Sequence, residues 1–395
     1  MAGVISPDSM DESRVFISAG EASGDALGGA LTAALKQLDS TLRFEAIGGV
    51  SLANQGVQIV ANSKNWGAIS VLESLHVAPR VIQGFRKAKR ALQQGDPGLL
   101  IAIDFGFVNV RLIQFAKALG WKTLYFMPPG SWNRTKFEAL QTENQAHLPR
   151  YAAFSDAIVT PFEWSYHFLQ KCGTNAYWFG HPLKQLLGNA LIPRLEDRTA
   201  GVAFLPGSRD HELKINLPIF ASLAKNCPSS TLVVAPNLNF NRIESAWRKQ
   251  LPNPDQHQVV QGSAIQVLSS ASAAVVCSGT AALEAAICQC PHLVMYKFSK
   301  QALLEARLLG FKKPQFIGLG NIILGRLAFP EYVQDDATEH ALTQGLDQLL
   351  TDHQERQSQL KACQEVMAAL GGNQAINQTA ELAYNLLKGV ASPTR

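Results

Sequence analysis

The sequence has no run of about 18 apolar residues, the length at which a helix can cross a bilayer. Its charges nearly balance, at +4 over 395 residues. That is no basis for the strongly basic domain that grips nucleic acid, so nucleic acid is excluded as a partner. Cysteine is sparse, six in all, and only Cys288 and Cys290 lie close together. Their C-x-C spacing has no second Cys or His pair to complete a zinc site, so no metal is expected and the thiols read as reduced core residues. The segment Met1 to Ser13 is polar and acidic, without the basic start and apolar centre of a signal peptide. These absences predict a cytoplasmic protein. Contact with lipid would be peripheral, on the inner face of the cytoplasmic membrane. No low-complexity tract or short-period repeat is present.

What is present is a rhythm of short apolar runs and longer helical stretches. Val15-Phe16-Ile17-Ser18, Leu99 to Ile103, Thr123 to Phe126 and Ala157 to Val159 read as buried strands. Helices are predicted over residues 25–36 and 110–119. The rhythm breaks at Gly180-His181-Pro182 and the polar segment 193–199. It then restarts with strands at Gly201 to Leu205, Thr231 to Ala235, Val259-Val260, Ala273 to Cys277 and His292 to Tyr296. Continuous apolar strands separated by helices imply parallel sheets covered on both faces. The predicted class is α/β, with two doubly wound, Rossmann-like domains facing a central cleft. Residues 1–184 form the first domain and 185–365 the second. Residues 366–395 form a terminal helix that packs back on the first, with the helical periodicity interrupted at Gly371-Gly372. Ligands of such folds sit at the C-terminal edges of the strands, so the chemistry is sought in the loops there.

Four loops qualify. Gly20-Glu21-Ala22-Ser23-Gly24-Asp25 follows the first strand but has neither the Lys-Ser/Thr ending of a P-loop nor the dinucleotide glycine spacing. Its acids would repel a pyrophosphate. Ser23 or Asp25 could simply cap the helix. Pro206-Gly207-Ser208-Arg209 offers a close backbone approach, a hydroxyl and a guanidinium that matches phosphate oxygens. In Ser278-Gly279-Thr280 a buried strand turns straight into a helix, whose free N–H groups and dipole favour an anion. Glu284, about one turn further on, can accept hydrogen bonds from a ribose diol. Together these two loops predict a nucleotide-diphosphate site. The fourth loop, Asp104 to Asn109, should point Asp104 and Asn109 into the cleft, with Asp104 either a helix cap or a base near an acceptor. The stretch 66–90 sets Leu72, Leu75, Val77, Val81, Ile82 and Phe85 against Arg80, Arg86, Lys87, Lys89 and Arg90. It suits an anionic membrane surface, or a core-packed helix with a solvated basic face.

These loops, in their order along the chain, resemble the lipid-A-disaccharide synthase family, inverting GT-B glycosyltransferases of family 19. The matching segments are Ala19 to Asp25, Glu73, Pro161-Phe162-Glu163, Phe179 to Leu183, Leu205 to Arg209, Ser278-Gly279-Thr280 with Glu284, Tyr296-Lys297, Gly320 to Ile323 and Pro330-Glu331. The resemblance implies transfer of a 2,3-diacylglucosamine from UDP to 2,3-diacylglucosamine 1-phosphate, giving the lipid A disaccharide 1-phosphate and UDP. Its partners would be a UDP-linked acylated sugar and an acylated sugar phosphate, with a homodimer as one mode of assembly. UDP-sugar is the donor substrate, and no cofactor or metal is expected. The resemblance further implies that Gly207, Ser208, Arg209, Ser278, Gly279, Thr280 and Glu284 hold UDP, and that Tyr296 and Lys297 lie by the base. Asn321 and Glu331 would line the cleft. Ser23, Gly24, Asn109 and Glu73 would face the sugars.

Two departures mark this chain as divergent. Where many family members carry Asp-x-Pro-Asp-Phe-Asn, it has Asp104 to Asn109, and the second Asp aligns with Phe107. A phenyl ring cannot accept a proton, so Asp104, Glu21 and Asp25 become the catalytic candidates. The family's Ser-x-x-x-Trp-Ala-Trp region appears as Pro128 to Arg134. A GT-B transferase or epimerase acting on another UDP-sugar, and a non-catalytic lipid- or nucleotide-binding member, are the other readings.

Overall fold

The structure, a computed structural model, describes residues 13–64, 66–67, 71–134, 137, 148–187, 192–277, 279–310 and 314–390. The side chains of 71–76, 301 and 306 fall outside that description. Two parallel sheets organise it. The first contains β1 (Arg14–Ala19), β2 (Arg43–Gly48), β3 (Gln58–Asn62), β4 (Leu99–Ile103), β5 (Lys122–Phe126), β6 (Ala157–Val159) and β7 (Ala176–Tyr177), in the order β3-β2-β1-β4-β5-β6-β7. The second contains β8 (Val202–Leu205), β9 (Ser230–Val234), β10 (His257–Gln261), β11 (Ala273–Cys277), β12 (His292–Tyr296) and β13 (Glu331–Val333), in the order β10-β9-β8-β11-β12-β13. Both are doubly wound, as the alternation of apolar runs and helices predicts.

The central strands β4, β8 and β11 are buried along their whole length. Helices cover both faces, so every side chain of these strands enters a core, which is why they read as unbroken apolar runs. Strands β2 and β3, on one flank of the sheet, are absent from the sequence reading. Both mix polar residues with apolar ones, and β3, the edge strand, has only Ala61 buried.

Each sheet reverses its winding beside its first strand. In the first sheet Ala19 of β1 lies opposite Ile103 of β4, so Gly20-Glu21 and Asp104-Phe105 leave the sheet side by side and diverge. In the second, Leu205 of β8 lies opposite Val276 of β11, and these neighbouring strands lead to the separate connections that contain Pro206 and Gly279. A cleft opens where two neighbouring strands send their connections to opposite faces.

The chain crosses between the halves twice, and the crossings touch. His181 N–H donates to the Leu370 carbonyl at 2.8 Å, and Lys184 Nζ donates to the Met367 carbonyl at 3.0 Å. Gln185 Oε1 accepts from Ile376 N–H at 2.6 Å. Gly180 has φ 95° and lies so close to the returning segment that a Cβ would stand 2.3 Å from the Gly372 carbonyl oxygen. Beyond this point helix Ala375–Lys388 joins the first core, where Ile376, Ala380, Leu382 and Ala383 are buried with Leu31 and Leu35. Helix His353–Ala369 instead packs on the second half, with Val366 buried beside Leu283 and Ile323. The return therefore begins at the Gly371-Gly372 break rather than at residue 366.

Candidate active site

The two switch points face each other across a cleft of about 1120 Å³. The first half contributes Gly20, Glu21, Ser23, Gly24, Asp25 and Asp104, together with Lys64, Arg80 and Trp132. The second contributes Gly207, Ser208, Arg209, Gly279, Thr280 and Glu284. Ser278 lies outside the described residues. Glu73 falls on helix Val71–Leu92, but its side chain is likewise outside them.

Asp104 is the carboxylate best placed for chemistry. It and Phe105 have φ of 46° and 48°, a left-handed pair at the exit of β4. Such residues hold of order 1–3 kcal/mol of strain each and persist only when their surroundings over-determine them. Here the Asp104 carbonyl is fixed by Tyr125 Oη at 2.8 Å and Asn109 Nδ2 at 2.8 Å. Asp104 is exposed to the cleft, but the cleft walls crowd protein around its carboxyl. That desolvation, followed by repulsion from Glu21, pushes its pKa up to about 6, while the Phe105 amide and Arg209 pull the other way.

Asn109 itself does not enter the cleft, contrary to expectation. It is fully buried, accepting from Ser18 Oγ at 2.6 Å and donating to the carbonyls of Ser18, Ile103 and Asp104. It joins β1 to β4 and so positions Asp104.

Asp25 is likewise reassigned from the catalytic candidates. Its carboxylate accepts from the N–H groups of Gly49 at 2.6 Å, Ser51 at 2.8 Å and Leu52 at 3.3 Å. These are free donors at the start of helix Val50–Asn54. Asp25 therefore caps the next helix rather than its own, and its oxygens are committed. Ser23 stays exposed in the cleft, while Gly24 is buried against Ala19 and Ile103.

Glu21 is engaged differently. Its carboxylate receives Arg209 Nη2 at 2.8 Å from across the cleft, while Arg209 Nη1 meets Glu212 at 2.9 Å. Burial works against the Arg209 charge, but Glu21 and Glu212 more than offset it and hold the guanidinium above its ordinary pKa. One arginine thus links the halves.

Glu212 is the residue that the sequence reading missed. It is nearly fully buried. One oxygen accepts from Ser208 N–H at 3.1 Å and Arg209 N–H at 3.3 Å. The other accepts from the Arg209 guanidinium and from Tyr296 Oη at 3.3 Å. Gly207, at φ 110°, makes room, since a Cβ there would come within 2.4 Å of the carboxylate. The backbone donors expected to cradle a phosphate are already filled by this side chain. The signal was a Glu three residues after the helix cap, the capping-box spacing.

In the second loop no side chain among the described residues caps the helix start. Gly279, φ 114°, caps helix Thr280–Ile287 with no side-chain hydrogen bond, Thr280 is exposed, and a Cβ on Gly279 would meet nothing. Glu284 also lines the cleft, and desolvation pushes its pKa up to about 7. Further wall comes from Pro236, Asn237 and the turn Gly262-Ser263-Ala264-Ile265, none of them singled out in the sequence.

Four more expectations are corrected. Tyr296 is buried with its hydroxyl on Glu212, and neither it nor Lys297 lines the cleft. Asn321 is fully buried, donating to the Phe329 carbonyl and to Glu331, and accepting from Ala328 and Phe329 N–H. Glu331 also accepts from Ile317 at 2.9 Å and Gly318 at 2.8 Å. These two residues shape the loop that presents Phe316, Ile317 and Ile322 to the cleft, and do not line it themselves.

Helix Val71–Leu92 packs Val81 and Phe85 against the first core. Lys89 sits 4.1 Å over the Phe115 ring. Arg80, Arg86, Lys87 and Arg90 are exposed, and Val77 and Arg80 reach the cleft mouth.

Two doubly wound sheets meeting switch point to switch point define the GT-B class. Solved structures of that shape include a UDP-N-acetylglucosamine 2-epimerase, 13% identical with TM-score 0.55 over 98% of this chain and 99% of that one. Another is the calicheamicin glycosyltransferase CalG4, 12% identical with TM-score 0.56 over 97% and 100%. At such identities the likeness is one of fold. The chain belongs to the lipid-A-disaccharide synthetase family, whose model matches residues 15–385, and with it to the glycosyltransferases. It is 28% identical to a lipid-A-disaccharide synthase of Acidobacterium capsulatum over 97% of this chain and 98% of that one. It is 29% identical to one of Myxococcus xanthus over 95% and 97%.

Proposed function

We propose that the protein transfers 2,3-diacylglucosamine from UDP to 2,3-diacylglucosamine 1-phosphate with inversion at the anomeric carbon, releasing UDP. The observation that carries this reading is the pairing across one cleft. A raised-pKa carboxyl, Asp104, faces an uncapped helix start at Gly279 and Thr280 with Glu284 just behind it.

In this reading the diphosphate lies at Thr280, where free N–H groups and the helix dipole meet its charge. Glu284 accepts from the ribose hydroxyls, and the base rests on the turn Gly262 to Ile265. Asp104 takes the proton from the acceptor hydroxyl as that oxygen bonds to the anomeric carbon and the bond to the diphosphate breaks. Arg209 and the helix start hold the negative charge left on UDP, so the step calls for no metal. Phe107 does not compete for the base role. It is exposed, and the Arg111 guanidinium stacks on its ring at 4.1 Å. Exposed Arg80 at the cleft mouth, with exposed Arg86 further along the same helix, supports contact with an anionic membrane.

The test is UDP release from UDP-2,3-diacylglucosamine with the acylated acceptor. UDP binding without turnover of this pair defeats the reading. Mass spectrometry of copurified ligands separates the alternatives, since soluble sugar nucleotides without acyl chains would favour a different transferase or an epimerase.

A further inference from the structure

Helix Lys300–Leu308 carries a feature that the reaction does not use. Leu304 is 58% exposed, Leu308 77% and Leu309 58%. The other exposed large apolar side chains among the described residues do not fall three to one short segment. The helix is well formed, with Ser299 Oγ capping it by accepting from Ala302 N–H at 3.1 Å. Positions 300, 304, 307 and 308 lie on one face of an α-helix. All four are exposed, as Lys300, Leu304, Arg307 and Leu308. Ala302 and Leu303 turn partly inward, and the helix's one acid, Glu305, lies off the outward stripe. Two leucines interleaved with two cations and no acid, flanked by Leu309 one turn beyond Glu305, match a bilayer interface, where the apolar tips enter the acyl boundary and the long cationic stems reach the phosphates.

We propose that helix Lys300–Leu308 with Leu309 is a docking element for an anionic lipid bilayer. Leu304, Leu308 and Leu309 lie in the acyl boundary, and Lys300 and Arg307 lie at the headgroup phosphates. A second copy of the chain is the poorer occupant, because a two-fold pairing of this stripe brings cations against cations. Pro314 and Phe316, a few residues further along the sequence, line the cleft. This inference does not depend on the identity of the sugars, and vesicle binding is read separately from turnover.

The experiment is co-sedimentation of the full chain with vesicles of phosphatidylethanolamine and phosphatidylglycerol, and with phosphatidylcholine alone. The wild type should partition onto the anionic vesicles. The variant Leu304→Ser/Leu308→Ser/Leu309→Ser should lose on the order of tenfold or more in partitioning. The surface variant Lys300→Gln/Arg307→Gln, which keeps the apolar contacts, should lose about fivefold per cation on anionic vesicles alone. UDP affinity and the melting temperature of the charge variant should not change. The proposal is overturned if both variants sediment like the wild type, or if the wild type ignores anionic vesicles. It is also overturned if light scattering finds that the leucine variant changes oligomeric state while vesicle binding persists, which would assign the stripe to a second copy.

Discussion

The acid limb of the pH–rate profile should belong to Asp104 and should move when Glu21 is neutralised. An aspartate in water stays ionised down to about pH 4. Held between the two halves and beside Glu21, Asp104 has its pKa pushed up to about 6. A base must be ionised, so kcat/KM, which reports the free enzyme, should fall as pH drops through 6. About nine-tenths of Asp104 is ionised at pH 7 and about one-tenth at pH 5, a tenfold loss of rate. Glu21→Gln removes the second-largest influence raising that pKa and releases part of the Arg209 charge, which lowers it. The limb should then shift to between about pH 4 and 6. Asp104→Asn should lower kcat on the order of 100- to 10,000-fold and leave UDP affinity intact. Stopped assays of UDP release across pH, with calorimetry for UDP, measure all three. An Asp104→Asn enzyme with wild-type kcat, or a Glu21→Gln limb that moves upward, refutes the reasoning.

The same desolvation implies a stability effect. A carboxyl whose folded pKa lies above its unfolded value contributes stability that is full below about pH 4 and lost as pH rises through about 6. Asp104→Asn should therefore melt higher than the wild type at pH 7.5 by calorimetry. Arg209→Ala should weaken UDP binding by about 1.5–3 kcal/mol, the worth of a charged hydrogen bond, and unchanged calorimetric affinity contradicts a phosphate role. Glu212→Gln removes the charged acceptor from two loop amides and the guanidinium. It should cost about 1–3 kcal/mol in denaturant unfolding, and an unaltered midpoint would exclude the clamp. Glu284 has a pKa near 7, so if its ionised form takes the ribose diol, UDP affinity rises from pH 6 to 8. Glu284→Gln should flatten that rise, and an identical profile removes Glu284 from the site.

Fold class was legible because burial on both faces writes a strand as an unbroken apolar run. Leu99 to Ile103 and Ala273 to Cys277 could hardly be read otherwise. The flanking strands Arg43–Gly48 and Gln58–Asn62 escaped because incomplete burial mixes their polar and apolar residues. Within the site, Asp104, Thr280 and Glu284 were reachable from position alone, as each lies at or just past a strand end. The polar residues that organise these loops were read as ligand contacts. Asp25, Asn109, Asn321 and Glu331 spend their hydrogen bonds on backbone groups that only the folded chain brings near. From sequence, a buried acceptor of main-chain N–H groups and a ligand-facing acid look alike. Glu212 was hidden for the opposite reason, since its capping-box spacing suggests a routine helix start.

The paired crossing at Gly180 and Gly372 restricts how the molecule can flex. One peptide tether would let the halves swivel and twist about any axis. Two tethers tied to each other by His181, Lys184 and Gln185 act as the two leaves of a door hinge. The motion left to them is rotation about the line through the crossings, and in that swing the two walls part and return in the same alignment. A donor carried on one half would thus meet an acceptor held on the other in the same register at every turnover, without a separate search for orientation.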